Sequence, residues 1–195
     1  MSEPLEIEVK IRLGGAGEAR KRILAAGAVP IRERHFEDNR IFDNKERELS
    51  RRGALLRVRA TGDGMGRLTY KEKVKSDLRA KVRREWEVEV QPPEALVRIL
   101  SMSGFEETYR YQKYRTVFRL EGCHIDLDET PMGCFVEIEG AADAIPRAAR
   151  LLGVPEEAFI TEDYRSLHRT WLDERGLPPG DMLYPDGEAP GGSTA

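Results

Sequence analysis

The sequence predicts an α+β fold in which about eight antiparallel strands close into a β-barrel with flanking helices. Three observations lead there. Short runs alternate apolar and charged residues with a period of two, the mark of strands. No strand–helix–strand unit repeats, so the pairing is mostly antiparallel. Closure into a barrel removes the exposed edges that so many strands would otherwise present.

The elements follow in order. In residues 5–13, Leu5, Ile7, Val9, Ile11 and Leu13 share one face, and Glu6, Glu8, Lys10 and Arg12 the other. Residues 17–27 read as a short helix stopped at Gly27. Residues 29–43 read as extended and 44–52 as a brief turn or helix. Ala54–Thr61 and Arg67–Val74 are strands joined by the glycine-rich link 62–66, a hairpin loop; no Gly-Lys-Ser/Thr follows it, so it is not a phosphate-binding P-loop. Arg84–Val90 is the next strand. Pro92-Pro93 open a helix to about Met102, with Leu96, Ile99 and Leu100 as its apolar stripe. Strands return at 105–120, 122–129 and 133–140, the last pair joined by a tight turn at Pro131-Met132-Gly133. Residues 142–152 and about 155–175 are helical, and 176–195 form a flexible C-terminal tail without periodicity. Trp86 and Trp171 are expected to pack between barrel and helices.

Composition narrows the function classes. A formal net charge of −3 over 195 residues gives no electrostatic case for nucleic acid or anionic membrane as partners. No run approaches the ~18 apolar residues of a membrane span. The N-terminus lacks the basic-then-apolar order of a signal peptide, and two cysteines make no disulfide framework, so a cytoplasmic protein with free thiols is expected. Charged residues reach 34%. Either the surface is densely charged, or charge points inward at a polar ligand.

The sorting of those charges favours the second. A charged strand face is ordinarily solvated, with cross-strand salt bridges. Here Glu6, Glu8 and Lys10 share a face, with successive same-face residues about 6–7 Å apart. Glu137 and Glu139 form a second carboxylate pair. Same-face cation pairs oppose them: Arg57/Arg59, Lys71/Lys73 and Lys113/Arg115. Carboxylate oxygens suit Mg²⁺ or Mn²⁺, which complete their shells with water and phosphate. Arginine grips phosphate oxygens in a planar fork, and lysine supplies a compact charge. Inward cations without an anion are costly to bury.

In this arrangement the chain resembles the CYTH superfamily of triphosphate tunnel metalloenzymes, which includes class IV adenylate cyclases, thiamine triphosphatases and inorganic triphosphatases. Glu6-Ile7-Glu8-Val9-Lys10 matches its E-x-E-x-K signature. The match continues through Leu56-Arg57-Val58-Arg59, Leu68-Thr69-Tyr70-Lys71, residues 84–89, Lys113-Tyr114-Arg115, Leu127-Asp128 and residues 133–139. One departure is Asn39, which stands where the family's D-x-Y-F-D segment often begins with Asp.

The resemblance implies an eight-stranded antiparallel tunnel over residues 1–175. It implies Glu6, Glu8 and Glu137 as metal ligands, with Glu139 and Asp128 sharing or supporting that role. Lys10, Arg57, Arg59, Lys71, Lys113 and Arg115 would hold the triphosphate. Glu85 and Glu87 would line the tunnel, and Lys10, Arg57 and Glu8 would carry catalysis. Lys73 and Asp126 share the inward parity and are carried as lesser candidates. The expected activity is metal-dependent hydrolysis of a small triphosphate (inorganic, thiamine or nucleoside). The alternatives are cyclisation of ATP to cyclic AMP with release of pyrophosphate, and a non-catalytic polyphosphate- or nucleotide-binding module. A homodimer is expected from family habit. His35, His124 and His168 lack metal spacing and read as structural or surface residues. Tyr70 and Tyr164 are left outside the site. Arg32, Arg34, Arg51 and Arg52 read as solvated surface, with a rim that attracts anionic substrate as the alternative.

Overall fold

The computed structural model describes residues 5–185. Its strands are β1 (Leu5–Ile11), β2 (Val29–Asn44), β3 (Ala54–Thr61), β4 (Gly66–Lys73), β5 (Lys81–Val90), β6 (Phe105–Leu120), β7 (Cys123–Thr130) and β8 (Gly133–Glu139). All pair antiparallel, in the closed ring β1-β5-β4-β3-β2-β6-β7-β8. The helices are α1 (Ala16–Ala25), α2 (Glu48–Arg51), α3 (Pro93–Met102), α4 (Ala144–Leu151) and α5 (Tyr164–Asp173). No helix among the described residues is long and apolar enough to cross a membrane.

The larger apolar core lies outside the ring. Val9, Ile11, Phe118, Ile125, Leu127, Val136 and Ile138 turn outward from β1, β6, β7 and β8. They meet Ala19 and Ile23 of α1 and Ile145, Ala148 and Ala149 of α4. Burying an aliphatic side chain of this size contributes about 1.5–3 kcal/mol, so this half of the ring carries the fold while its inner face is left for polar groups. The strand alternation therefore works inside out: apolar residues bind the helices, and charged ones enclose the interior. A second, smaller cluster (Ile41, Tyr109, Tyr111, Phe135 and Tyr164) sits at the end of the ring covered by α5.

Several elements differ from expectation. β5 begins at Lys81 rather than Arg84, which brings Lys81 into register with Glu8. The helix expected over 155–175 is broken. A 3₁₀ turn spans Glu156–Ala158, Ile160 forms an antiparallel bridge with Lys10, and α5 starts afresh with the Asp163 side chain capping the Ser166 amide. Part of the tail expected from residue 176 is docked, as far as Tyr184: Met182 is 1% exposed and pairs with β6, and the Tyr184 hydroxyl donates to Glu129 O. Residues 186–195 lie outside the described part. Trp86 packs on Tyr70, with ring centroids 5.8 Å apart, and stays 45% exposed. Close approach explains one glycine: a Cβ on Gly66 would lie 2.5 Å from Pro93, the first residue of α3. Cys123 and Cys134 are free.

Candidate functional site

The ring encloses a cavity of about 570 Å³, within the range usual for small-molecule sites, roughly 300–1,000 Å³. Strand parity sets its lining. β1 contributes Glu6, Glu8 and Lys10, β3 contributes Arg57 and Arg59, and β5 contributes Lys81, Glu85 and Glu87. β6 contributes Lys113 and Arg115, and β8 contributes Glu137 and Glu139. Lys71 of β4 and Asp126 of β7 also face in. Of the residues the sequence singled out, Asp128 and Lys73 stand apart from this lining. Asp128 is fully buried behind it, and Lys73 is exposed at the end of β4.

On the β1–β8 side, carboxylates and lysines are interleaved. Lys71 Nζ donates to both oxygens of Glu6, at 2.6 and 2.7 Å, and lies 3.0 Å from Glu85. Lys10 Nζ, 2% exposed, bridges Glu8 at 3.3 Å and Glu137 at 3.0 Å. Lys81 Nζ reaches the same Glu8 oxygen at 2.6 Å. Burial pushes the Glu8 carboxyl upward, but Lys10 and Lys81 overcome it and hold the group well below its usual range. Burial likewise opposes the Lys10 charge, and Glu137 and Glu8 restore it. At Glu139 the nearby cation, Lys71, is outweighed. Burial, then Glu6 and Asp126, push it up to about 8. Burial raises Glu85 to about 7 and Asp126 to about 6. This side thus holds more carboxylate than its lysines neutralise.

On the β3–β6 side, cations are seated on a polar frame. Arg57 donates to Thr69 Oγ1 at 3.2 Å and to the Tyr111 hydroxyl at 3.3 Å, and Thr69 donates onward to Glu87 at 2.6 Å. Arg59 lies 3.0 Å from Glu37 and donates to Asn39 at 2.9 Å. Asn39, at the position of the family's usual Asp, therefore orients an arginine without neutralising it. Asp128 accepts from Lys113 at 2.8 Å, from Arg115 Nη2 at 2.6 Å and from the Tyr164 hydroxyl at 2.6 Å. Arg115 also contacts Glu137 and, at 2.5 Å, Asp126.

Among the described residues, four polar atoms of the lining, Arg57 Nε, Asp126 Oδ1, Glu37 Oε2 and His35 Nε2, are buried without a hydrogen-bond partner. Each such group costs about 1–3 kcal/mol when left unsatisfied. Arg57 Nε is a donor beside the arginines and Asp126 Oδ1 an acceptor beside the surplus carboxylates, a pair that suits an anion on one side and a cation on the other, while Glu37 Oε2 and His35 Nε2 belong to neighbouring side chains, Nε2 lying 3.4 Å from Glu37 Oε1. Among the described residues no trio of Asp, Glu, His or Cys converges into a ready-made metal cage. Glu8 and Glu139 are nonetheless cross-strand neighbours, as are Lys10 and Glu137. One or two carboxylates with substrate oxygens are the usual protein share of a Mg²⁺ site, and this donor set fits that requirement.

Several lining residues escaped the sequence reading. Glu37, 1% exposed, supports Arg59 and lies 3.7 Å from Lys113. β2 mixes polar and apolar residues on both faces, so it gave no parity signal. Lys81 precedes the alternating run Arg84–Val90, so it carries no parity signal of its own. Tyr164 comes from a helix, where strand parity does not apply. Arg32, His35 and His124 also border the cavity.

Fold and lining together define a closed antiparallel ring around a densely charged cavity. The CYTH domain family matches residues 4–152, and the chain belongs to that family. Among solved structures it is similar to the PH1012 protein of Pyrococcus horikoshii, at 27% identity and a TM-score of 0.69 over 82% of this chain and 96% of that one. It shares its fold with a candidate adenylate cyclase from Vibrio parahaemolyticus at 17% identity and a TM-score of 0.74, covering 86% and 99% of the two chains. A candidate adenylyl cyclase from Hippeastrum, described as having a dominant triphosphatase activity, aligns at 20% identity and a TM-score of 0.50 over 89% of this chain and 88% of that one. No curated protein matches.

Proposed function

We propose that this chain is a divalent-metal-dependent triphosphatase that binds a small triphosphate inside the ring, which then serves as a tunnel. The observation that carries this reading is the gathering of Lys10, Arg57, Arg59, Lys71, Lys113 and Arg115 around one cavity, with Glu6, Glu8, Glu137 and Glu139 on one side of it. A chain of phosphates presents dense, fixed negative charge, and cations preset on a rigid frame stabilise the charge that shifts during phosphoryl transfer.

Arg57, Arg59, Lys113 and Arg115 bind and align the phosphates. Glu37, Asn39, Thr69 and Asp128 hold those cations in place, so little reorganisation is needed on binding. Glu6, Glu8, Glu137 and Glu139 would hold Mg²⁺ or Mn²⁺. When bound, that ion supplies charge neutralisation and the means to activate water at neutral pH. Lys10, pinned between Glu8 and Glu137, sits where phosphate and carboxylates meet and keeps its proton. Glu85, raised to about 7 and outside the set that would hold the ion, is a lining group able to accept a proton near neutrality.

Product analysis tests this. Purified protein is incubated with Mg²⁺ or Mn²⁺ and, separately, with tripolyphosphate, thiamine triphosphate and ATP, and products are identified by mass spectrometry. Orthophosphate is the expected product. Cyclic AMP with pyrophosphate from ATP would assign cyclisation instead, and no turnover of any substrate would assign binding alone.

A further inference from the structure

We propose that residues 177–185 are a strap that locks α5 across one end of the ring, and that Tyr164, carried by α5, is the positioning residue that fixes the ammonium groups of Lys10 and Lys113. The role assigned to Tyr164 rests on the triphosphate reading above; the strap does not.

The strap follows from a mismatch in strand lengths. β6 pairs with β2 along most of its length, from Phe105 to Arg119, but β7 meets it only from Tyr114 to Leu120. The edge of β6 around 110–112 is therefore left open by β7, and unpaired buried backbone groups are costly. The C-terminal segment fills that edge. Met182 N donates to Arg110 O at 3.0 Å, Gln112 N donates to Met182 O at 2.9 Å, and Arg110 N donates to Asp181 Oδ1 at 2.8 Å. Tyr184 then donates from its hydroxyl to Glu129 O at 2.6 Å. The chain reaches this edge because Gly176, at φ 64°, turns it back at the end of α5.

α5 is tied on its other side as well. Ile160 and Lys10 exchange backbone hydrogen bonds of 2.8 and 2.9 Å, joining the approach to α5 to β1. The helix thus hangs between β1 and β6, and the Met182 side chain joins the aromatic cluster of Tyr109, Tyr111, Phe135 and Tyr164.

Tyr164 is the point at which this closure touches the cation set. Its hydroxyl donates to the Asp128 oxygen that also accepts from Lys113. Its ring lies beneath both ammonium groups, with Lys10 Nζ 5.2 Å and Lys113 Nζ 5.1 Å from the centroid. One side chain therefore constrains two cations from strands that do not pair with each other.

The test uses full-length variants: Met182→Asp, the milder Tyr184→Phe, Tyr164→Phe and Tyr164→Leu. Amide hydrogen exchange is measured first. Met182→Asp is expected to raise exchange across α5 about tenfold or more, and Tyr184→Phe to raise it less, while β7 and β8 stay protected. Unchanged α5 protection in both overturns the strap. Metal-free tripolyphosphate is then titrated by calorimetry. Tyr164→Phe, keeping the ring, is expected to weaken affinity about tenfold, and Tyr164→Leu more, with a melting temperature close to wild type for Tyr164→Phe. Equal affinity in wild type and both Tyr164 variants overturns the positioning role. Wild-type protein that binds no tripolyphosphate, either metal-free or with Mg²⁺, removes the triphosphate reading and the role of Tyr164 with it, while the exchange data still decide the strap.

Discussion

Lys81 Nζ stands 2.6 Å from Glu8 Oε1, directly opposite it in the β1–β5 register. Glu8 thus serves two lysines at once, Lys81 and Lys10. Burial lowers the Lys81 ammonium, and Glu8 opposes that shift. Glu8→Gln should lower metal-dependent triphosphate hydrolysis by about two orders of magnitude or more. The ring should survive, because Lys10 keeps Glu137. Steady-state kinetics with circular dichroism checks both halves, and near-wild-type turnover would remove Glu8 from the reaction.

Arg57 tests geometry rather than charge. Its guanidinium spans Thr69 and Tyr111, and its Nε is buried without a hydrogen-bond partner. Lysine keeps the charge and loses the planar fork. Arg57→Lys should weaken tripolyphosphate binding about tenfold or more, with the loss persisting at low salt. Calorimetry at two ionic strengths measures it.

The raised carboxyls set a pH dependence. Glu139 stands at about 8 and Glu85 at about 7, mainly through burial, against an ordinary 4.5. Between pH 4.5 and 8 the folded protein therefore holds protons that the unfolded chain has released. Stability contributed by these groups is complete below 4.5 and is lost as pH rises through the folded values. The metal-free melting temperature should fall from pH 5 to 8.5. Mg²⁺ binding should release protons and reduce that fall. Thermal melts across pH, with calorimetry in two buffers of different ionisation enthalpy, decide the sign.

Ile145 separates fold from site. It packs from α4 on the outside of the ring. Ile145→Ala should cost about 2–5 kcal/mol of stability and leave tripolyphosphate affinity unchanged at temperatures where the variant is folded. A parallel loss of affinity would show that core and cavity are not independent.

Much of this was legible in the residues themselves. β1, β3 and β8 alternate so cleanly that Glu6, Glu8, Lys10, Arg57, Arg59, Glu137 and Glu139 could be placed on one face before any coordinates. What alternation could not show was which face turned inward, and here the apolar face turns out. Glu37 is not legible in this way because β2, flanked by β3 and β6, carries polar residues on both sides. Asp128 has the parity of a lining residue, yet Lys113, Arg115 and Tyr164 close over it. Tyr164 and Met182 were missed because their contacts depend on how the C-terminal segment crosses the ring, a long-range relation without local periodicity. The break before α5 has a local cause, the Asp163 cap, but its bridge to Lys10 does not.

The central claim is that opposite charges meet inside the ring around one triphosphate and its cation. A crystal structure of the protein soaked with Mn²⁺ and a non-hydrolysable tripolyphosphate analogue tests it most directly. The account predicts an anomalous manganese peak within coordination distance of Glu8 and Glu137, with phosphate oxygens on Arg57, Arg59, Lys113 and Arg115. Manganese and analogue bound only on the outer surface, with the cavity free of both, would contradict it.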